Sequence, residues 1–295
     1  MISRVEIDEG GGFCGGVIRA IGSAEDFLRS HPGTALYSLG PVVHNESELD
    51  RLAGLGLVTL DSSDISETVA SERRPVIIRA HGESPAMYGV LRSRGFDIID
   101  CTCPVVLGIQ KKIASAPGDV VIYGKKGHPE VTGLVGNAKG RVWVVENAGE
   151  ARALLAAADR PAAGADIFSQ TTMSPVGYDE VCALLASGIP SLRVHRTICS
   201  QVERRHANLE KFARQHDVVV FVTGKSSSNG RVLSDLCRSV NPRTYVVGGV
   251  SDLDPSWFRS GDSVGVSGAT STPRWLLENV AEHINYNLQR SNTAE

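Results

Sequence analysis

The stretch Phe96-Asp97-Ile98-Ile99-Asp100-Cys101-Thr102-Cys103-Pro104-Val105 holds the pattern on which the fold turns. Phe96 to Ile99 reads as a strand, two cysteines follow in a tight polar turn, and a helix is predicted from about Val105. The same succession stands near the start, where Val5 to Asp8 leads through the glycine-rich turn Gly10 to Gly16, holding Cys14, into a helix from Val17 to Leu28. It returns at Leu192-Arg193-Val194, Cys199 and a helix running to about Arg214. Cys14, Cys103 and Cys199 thus fall one in each third of the 295 residues.

Further strands end in polar turns at matching places. Ala35 to Leu39 leads to His44-Asn45, Val120 to Tyr123 leads to His128-Pro129-Glu130, and Val218 to Thr223 leads to Ser226 to Asn229. The last strand of each third does likewise, before His81-Gly82, before Gln170-Thr171-Thr172 and before Gly268 to Thr272. Strands alternating with helical stretches predict an α/β fold with largely parallel sheets. Three similar lobes are expected, at 15–100, 101–197 and 198–285, with the strand of residues 1–14 added to the third. In open α/β sheets ligands bind beyond the carboxyl ends of strands. A pseudo-threefold trefoil of such lobes would therefore bring cysteines and polar turns to one central cavity.

Composition narrows the chemistry. A formal net charge of −3, with acids and bases interleaved, leaves no basic stripe to neutralise a nucleic-acid backbone. No apolar run approaches the ~20 residues of a membrane span, and the first residues lack the apolar centre of a signal peptide, so a cytoplasmic location is expected. In that reducing setting the six cysteines are metal ligands, catalytic groups or core residues rather than disulfides. Cys182 and Cys237 lie in apolar helical stretches and are expected in the core.

Thiolates are soft ligands suited to iron–sulfur clusters and to zinc, and three from separate turns can each hold one corner of a 4Fe-4S cubane. The fourth iron then has no protein ligand. Cys14 and Cys199 are two of these ligands, with Cys103 and Cys101 rivals for the third place. The polar turns offer His44, His81, His128, Thr171, Thr172, Ser227, Ser228, Ser271, Asn45 and Asn229, several just before helices whose first N–H groups favour anions. A phosphate or diphosphate fits this donor-rich set. Glu130 is the one acid in the turn around His128, and beside a cluster and a bound anion its proton affinity should rise, which suits a proton donor. The remaining histidines, His31, His195, His206, His216 and His283, read as helix surface or loop.

Two look-alike motifs are set aside. Gly10-x-Gly12-x-x-Gly15 follows a strand as a dinucleotide turn would, but the next strand ends at Ser38-Leu39-Gly40 with no acid for a ribose. Gly224-Lys225-Ser226 resembles the end of a P-loop, yet Val219 stands where that loop needs its first glycine.

With these residues in view, the chain resembles the LytB/IspH family, the 4-hydroxy-3-methylbut-2-enyl diphosphate reductases, over nearly its whole length. The resemblance rests on Gly12-Phe13-Cys14-x-Gly16-Val17-x-Arg19-Ala20, Val43-His44-Asn45, Ala80-His81-Gly82, Asp100-x-Thr102-Cys103-Pro104, Gly127-His128-Pro129-Glu130-Val131-x-Gly133, Gln170-Thr171-Thr172, Ile198-Cys199 and Ser227-Ser228-Asn229, in the family's order. It implies a three-lobed fold around a 4Fe-4S cluster on Cys14, Cys103 and Cys199, which selects Cys103 over Cys101. It implies a diphosphate held by His44, His81, His128, Ser227, Ser228, Asn229 and Ser271, and a proton path through Thr171 and Glu130. The implied reaction removes the allylic hydroxyl of the substrate with two electrons from ferredoxin or flavodoxin and yields isopentenyl and dimethylallyl diphosphate. The rival reading is a diverged relative that keeps the cluster and acts on another small diphosphate, as a non-redox lyase or as a sensor.

Two segments depart from the family pattern. After the third cysteine, Cys-x-Ala-Thr-x-x-Arg-Gln is replaced by Cys199-Ser200-Gln201-Val202-Glu203-Arg204-Arg205-His206, so Val202 stands for a hydroxyl and His206 for Gln. After Cys103, Thr-Lys-x-His becomes Leu107-Gly108-Ile109-Gln110. Slower turnover than in a pattern-true relative is the expectation.

Overall fold

The computed structural model describes residues 2–61, 65 and 74–290, with side chains to 286. Among the described residues, twelve strands form three four-stranded sheets in which every pairing is parallel. The protein is thus built of three α/β lobes, and the chain divides into two compact bodies.

The larger body holds Arg19–Val42 and Leu55–Ser200. Its first sheet has the order β3-β2-β4-β5, from Leu57–Leu60, Leu36–Leu39, Arg74–Ile78 and Phe96–Asp100. Its second repeats that plan as β7-β6-β8-β9, from Val142–Val145, Val120–Tyr123, Ala165–Ser169 and Leu192–Val194. Val120–Tyr123 and Ala165–Ser169 are buried throughout, as strands covered on both faces must be, which is why they read as unbroken apolar runs rather than alternating ones. Successive side chains go to opposite faces: Val121 and Ile167 pack with Val181 and Leu185 of helix α7 (Pro175–Gly188), while Val120, Ile122 and Phe168 pack with Ile109 and Ile113 of α4 (Pro104–Ser115).

The smaller body holds the residues up to Ile18, Val43–Gly54 and those from Gln201 on. Its sheet has the order β1-β12-β10-β11, from Arg4–Ile7, Ser263–Gly268, Val218–Val222 and Thr244–Val247. Val220, Val222 and Val266 meet Leu277, Val280 and Ile284 of α10 (Arg274–Arg290), and Val219 and Phe221 meet Leu209 of α8 (Ser200–Arg214) and Leu233 of α9 (Ser228–Val240). Truncating Leu209, Leu233, Leu277 or Ile284, all fully buried, to Ala would cost about 2–5 kcal/mol.

Read from the other edge, this sheet has the order β11-β10-β12-β1, the same plan as the other two. In each sheet one edge strand runs directly to a cysteine turn and then to a helix: β1 to Cys14 and α1 (Gly15–Ser30), β5 to Cys103 and α4, β9 to Cys199 and α8. The third sheet takes its edge strand from the opposite end of the chain, with Arg4 beside Ser263 and Ile7 beside Val266.

One histidine sits differently from the sequence reading. His216, expected on a surface or loop, is buried, with Nδ1 bonded to the Phe212 carbonyl at 2.9 Å and its ring against that of Phe212. His216 stands two residues past the end of α8, and its ring folds back onto Phe212 in the last turn. No described helix is long and apolar enough to cross a membrane.

Candidate active site

In the larger body the Cys103 turn is held from three sides. Backbone N–H groups of Cys101 and Cys103 donate to the carbonyls of Ile78 (2.9 Å) and Ala80 (3.0 Å), so this turn lies along the turn that carries His81. Asp100 Oδ1 accepts from Thr102 N (2.9 Å) and Thr102 Oγ1 (2.6 Å), and Asp100 Oδ2 accepts from Tyr88 Oη (2.9 Å). Arg19 Nη2 donates to the carbonyls of Asp100 (3.3 Å) and Thr102 (3.2 Å). Cys103 then caps α4 without a side-chain bond, and Pro104 at the first helical position costs nothing because its missing N–H would have no helical partner. Gly82, at φ +69°, must be glycine on two counts: the left-handed backbone, and a Cβ that would stand 2.6 Å from Gln110 Nε2.

The rings of His81 and His128 meet edge to face with centroids 5.3 Å apart. His128 caps the helix α5 (Pro129–Val135), and its Nδ1 accepts from Glu130 N at 3.2 Å. An N–H can only donate, so a neutral His128 carries its proton on Nε2. Glu130 is 2% exposed, and its two carboxylate oxygens accept from Thr171 N (2.6 Å) and Thr171 Oγ1 (2.7 Å). Burial raises its pKa from 4.5 to about 7, outweighing the two Thr171 bonds that pull the other way. The Thr171 carbonyl in turn accepts from Cys199 N at 3.0 Å. Cys199, Thr171, Glu130 and His128 are therefore successive links of one hydrogen-bonded chain.

Two residues that sequence reasoning gave no individual role brace this chain. Gln170 is fully buried, with Oε1 accepting from Lys125 N (3.0 Å) and Nε2 donating to Thr172 Oγ1 (2.9 Å). Thr197 Oγ1 accepts from Ser169 N (2.7 Å) and donates to Ser169 O (2.9 Å), which fastens the run to Cys199 onto the end of β8. The sequence signal for Gln170 was its place beside Thr171; Thr197 had none.

The smaller body carries Cys14 and the serine and asparagine donors. Cys14 N donates to the Thr270 carbonyl at 3.3 Å, and Thr270 N and Oγ1 donate to Asn229 Oδ1 at 3.1 and 2.9 Å. Those bonds fix the Asn229 amide so that Nδ2 faces away from Thr270, and this buried Nδ2 has no partner among the described residues. Ser228 Oγ is likewise buried and unpartnered. Ser227 Oγ caps α9 through Gly230 N (3.0 Å) and lies 3.0 Å from Ser271 Oγ. A Cβ on Gly224 would collide with the His44 carbonyl, so that glycine serves close packing under His44 rather than a nucleotide loop. Asn45 is a helix cap, its Oδ1 accepting from Glu48 N at 3.0 Å at the start of α2 (Glu46–Leu55).

Residues 201–206 of the divergent third-cysteine segment also lie in this body. Arg205 is buried and pairs with Asp8 at 2.7 Å while donating to Ser267 Oγ and the Gly268 carbonyl, and Gly10 leaves room for its guanidinium. Val202 is 4% exposed. Burial, helped by the neighbouring Arg205 charge, lowers the His206 pKa.

The six cysteines fall into two sets. Cys14, Cys103 and Cys199 are partly exposed in turns, whereas Cys101, Cys182 and Cys237 are buried. Burial pushes the Cys237 thiol up to about 12 and raises that of Cys182, which marks both as neutral core groups.

Three parallel sheets of one plan, each edge strand delivering a partly exposed cysteine to a helix start, define a class of three-lobed cysteine-bearing α/β proteins. The chain belongs to the LytB family: the profile described as "LytB protein" matches residues 5–285. Relatives in Bacteroides fragilis (40% identical, covering 97% of this chain and 99% of the relative) and Parabacteroides distasonis (43%, covering 95% and 97%) are each named 4-hydroxy-3-methylbut-2-enyl diphosphate reductase. A solved structure of (E)-4-hydroxy-3-methyl-but-2-enyl diphosphate reductase, described as the terminal enzyme of the non-mevalonate pathway, is 33% identical and matches 97% of this chain and 99% of its own with a TM-score of 0.69. The fold is shared as well with the reductase of Plasmodium falciparum, at 23% identity and a TM-score of 0.84, over 97% of this chain and 89% of that one.

Proposed function

We propose that the chain reduces 4-hydroxy-3-methylbut-2-enyl diphosphate to isopentenyl and dimethylallyl diphosphate in the cytoplasm, with ferredoxin or flavodoxin as electron donor. The observation that carries this reading is the buried, proton-poised Glu130, linked through Thr171 to the backbone of Cys199. The donor set fits a 4Fe-4S cluster: Cys14, Cys103 and Cys199 are the partly exposed soft ligands, and each follows an edge strand at an equivalent place. Such a cluster, when bound on these three residues, would supply single electrons and one iron without a protein ligand.

The chain's own residues do the rest. Asn229 Nδ2 and Ser228 Oγ are buried donors in need of an acceptor, and with Ser227, Ser271, His44, His81 and His128 they hold the diphosphate. His128 donates from Nε2 to a phosphate oxygen because Glu130 N occupies Nδ1. Glu130, half protonated near neutral pH, passes its proton to the Thr171 hydroxyl as that hydroxyl gives its own to the substrate. A proton delivered at one or the other end of the allylic system gives one or the other product.

The test is anaerobic purification and an assay of the diphosphate with and without a reductant. Product only with reductant supports the proposal. Turnover without it would make the chain a lyase, and none in either case removes the assignment.

A further inference from the structure

Helix α4, which starts at Cys103, has a side whose exposure its place in the fold does not require. Its inward residues are apolar or the buried Gln110, while Val105 (42% exposed) and Leu107 (38%) lie outward with Gly108, Lys111 and Lys112. At 3.6 residues per turn, Leu107, Lys111, Gly108, Lys112 and Val105 follow one another around a continuous outer arc. A Cβ on Gly108 would meet nothing within 4 Å, so the arc has a flat, open floor. The helix contains no Asp or Glu. Arg19 adds a third cation beside its start, for its Nη2 rests on the neutral carbonyls of Asp100 and Thr102. Asp100, whose carboxylate accepts from the neutral donors Thr102 and Tyr88, leaves one anion beside that start against the three cations. On a chain of net charge −3, a strip with Lys111 and Lys112 at its middle, Leu107 and Val105 on its two flanks and Arg19 beside the helix start stands apart.

We infer that this strip is the docking surface for a small acidic one-electron carrier protein of the ferredoxin kind. The inference rests on the proposed reductive function and names the partner that serves it. Charge complementarity selects an acidic partner, and such encounters need only a small apolar contact with a charged rim, since steering supplies the on-rate and rapid release is required. The cap of α4 is Cys103 itself, and Lys112 is roughly 13 Å further along at 1.5 Å per residue, so a carrier seated on the first turns lies next to that sulfur. The balance is two reduced carriers oxidised, one electron each, for every C–O bond broken, with two protons taken up and one water released.

The test compares the holoenzyme with its K111E/K112E and Leu107→Ser variants under two reductants, a reduced acidic ferredoxin and dithionite-reduced methyl viologen. For K111E/K112E the KM for ferredoxin should rise about tenfold or more at low salt, with the gap closing as salt is added, while the viologen-driven rate stays within about twofold. Leu107→Ser should raise the same KM without that salt dependence. An unchanged KM for ferredoxin, or equal losses with both reductants, overturns the docking surface. Calorimetric titration with oxidised ferredoxin separates this inference from the function it rests on. Binding that weakens in K111E/K112E upholds the surface even if the unaltered chain reduces no diphosphate, and binding that does not weaken overturns it.

Discussion

Replacing Glu130 by Gln removes a charge and keeps a shape. The amide oxygen can accept from Thr171 N, and the amide nitrogen can donate to Thr171 Oγ1 once that hydroxyl turns, so both contacts of the carboxylate survive. What disappears is a proton held at a pKa of about 7 instead of 4.5. That difference corresponds to about 3 kcal/mol between the two protonation states. Because the folded-state value is raised, the folded protein binds the proton more tightly than the unfolded chain, and stability falls as pH rises from about 4.5 to about 7. Glu130→Gln abolishes that loss, so the variant should melt higher than the unaltered protein above pH 7. As a proton donor, Glu130 must be protonated for turnover, so kcat should fall above about pH 7, by about a hundredfold at pH 9. A bound diphosphate anion shifts this limb upward. The variant should keep its cluster and bind substrate, with kcat lower by roughly two to four orders of magnitude and flat across the same window. The assay is the reductive turnover of both proteins from pH 6 to pH 9 at equal iron content. Near-normal activity of the variant, or a pH-independent kcat in the unaltered chain, would refute the proton role.

Single Ser replacements of Cys14, Cys103 and Cys199 should each lose or degrade the brown absorbance and iron content of the reconstituted protein, whereas Cys101→Ser, Cys182→Ser and Cys237→Ser should keep both. Asn229→Asp keeps the oxygen that Thr270 requires and turns the free donor into an acceptor, so diphosphate affinity measured by titration should drop by about tenfold to a hundredfold, the scale of a lost bond to a charged group, and the buried, half-satisfied carboxylate should also lower the melting temperature above the usual carboxylate pKa. Val202→Thr, which restores the hydroxyl of the family pattern, should raise the reduction rate at equal cluster content; a lower rate would show that the buried site cannot satisfy the added hydroxyl.

Much of this architecture is written locally. The runs Phe96–Asp100 and Val218–Val222 announce strands by their β-branched residues, and the turns after them announce helix starts by Pro, Ser and His in capping positions, so the order of elements can be read directly. Glu130 was legible as an acid among donors, but its burial was not, because that depends on Thr171 reaching it across 41 residues of sequence. The same limit hides the Asp8 and Arg205 pair, separated by 197 residues, and the bond from Trp275 Nε1 to Glu48 at 2.9 Å, separated by 227. His216 misleads for a different reason: a ring on the apolar side of a helix end looks polar in composition, and only its spacing from Phe212 tells which way it faces.

The borrowed edge strand has a consequence for biosynthesis. Arg4 of β1 and its partner Ser263 are 259 residues apart, so β1 is made long before its neighbour Ser263–Gly268. The sheets of the other two lobes have all their strands in continuous sequence and can form during translation. The third sheet cannot close until Ser263–Gly268 has been made, and a closing contact between partners so far apart in sequence favours slow formation. Cys14 shares that delay, because its backbone is tethered to Thr270. The Cys103 and Cys199 turns are therefore ready before the Cys14 turn. A fusion partner that holds the first residues away from the tail should leave those two turns intact and spoil the third.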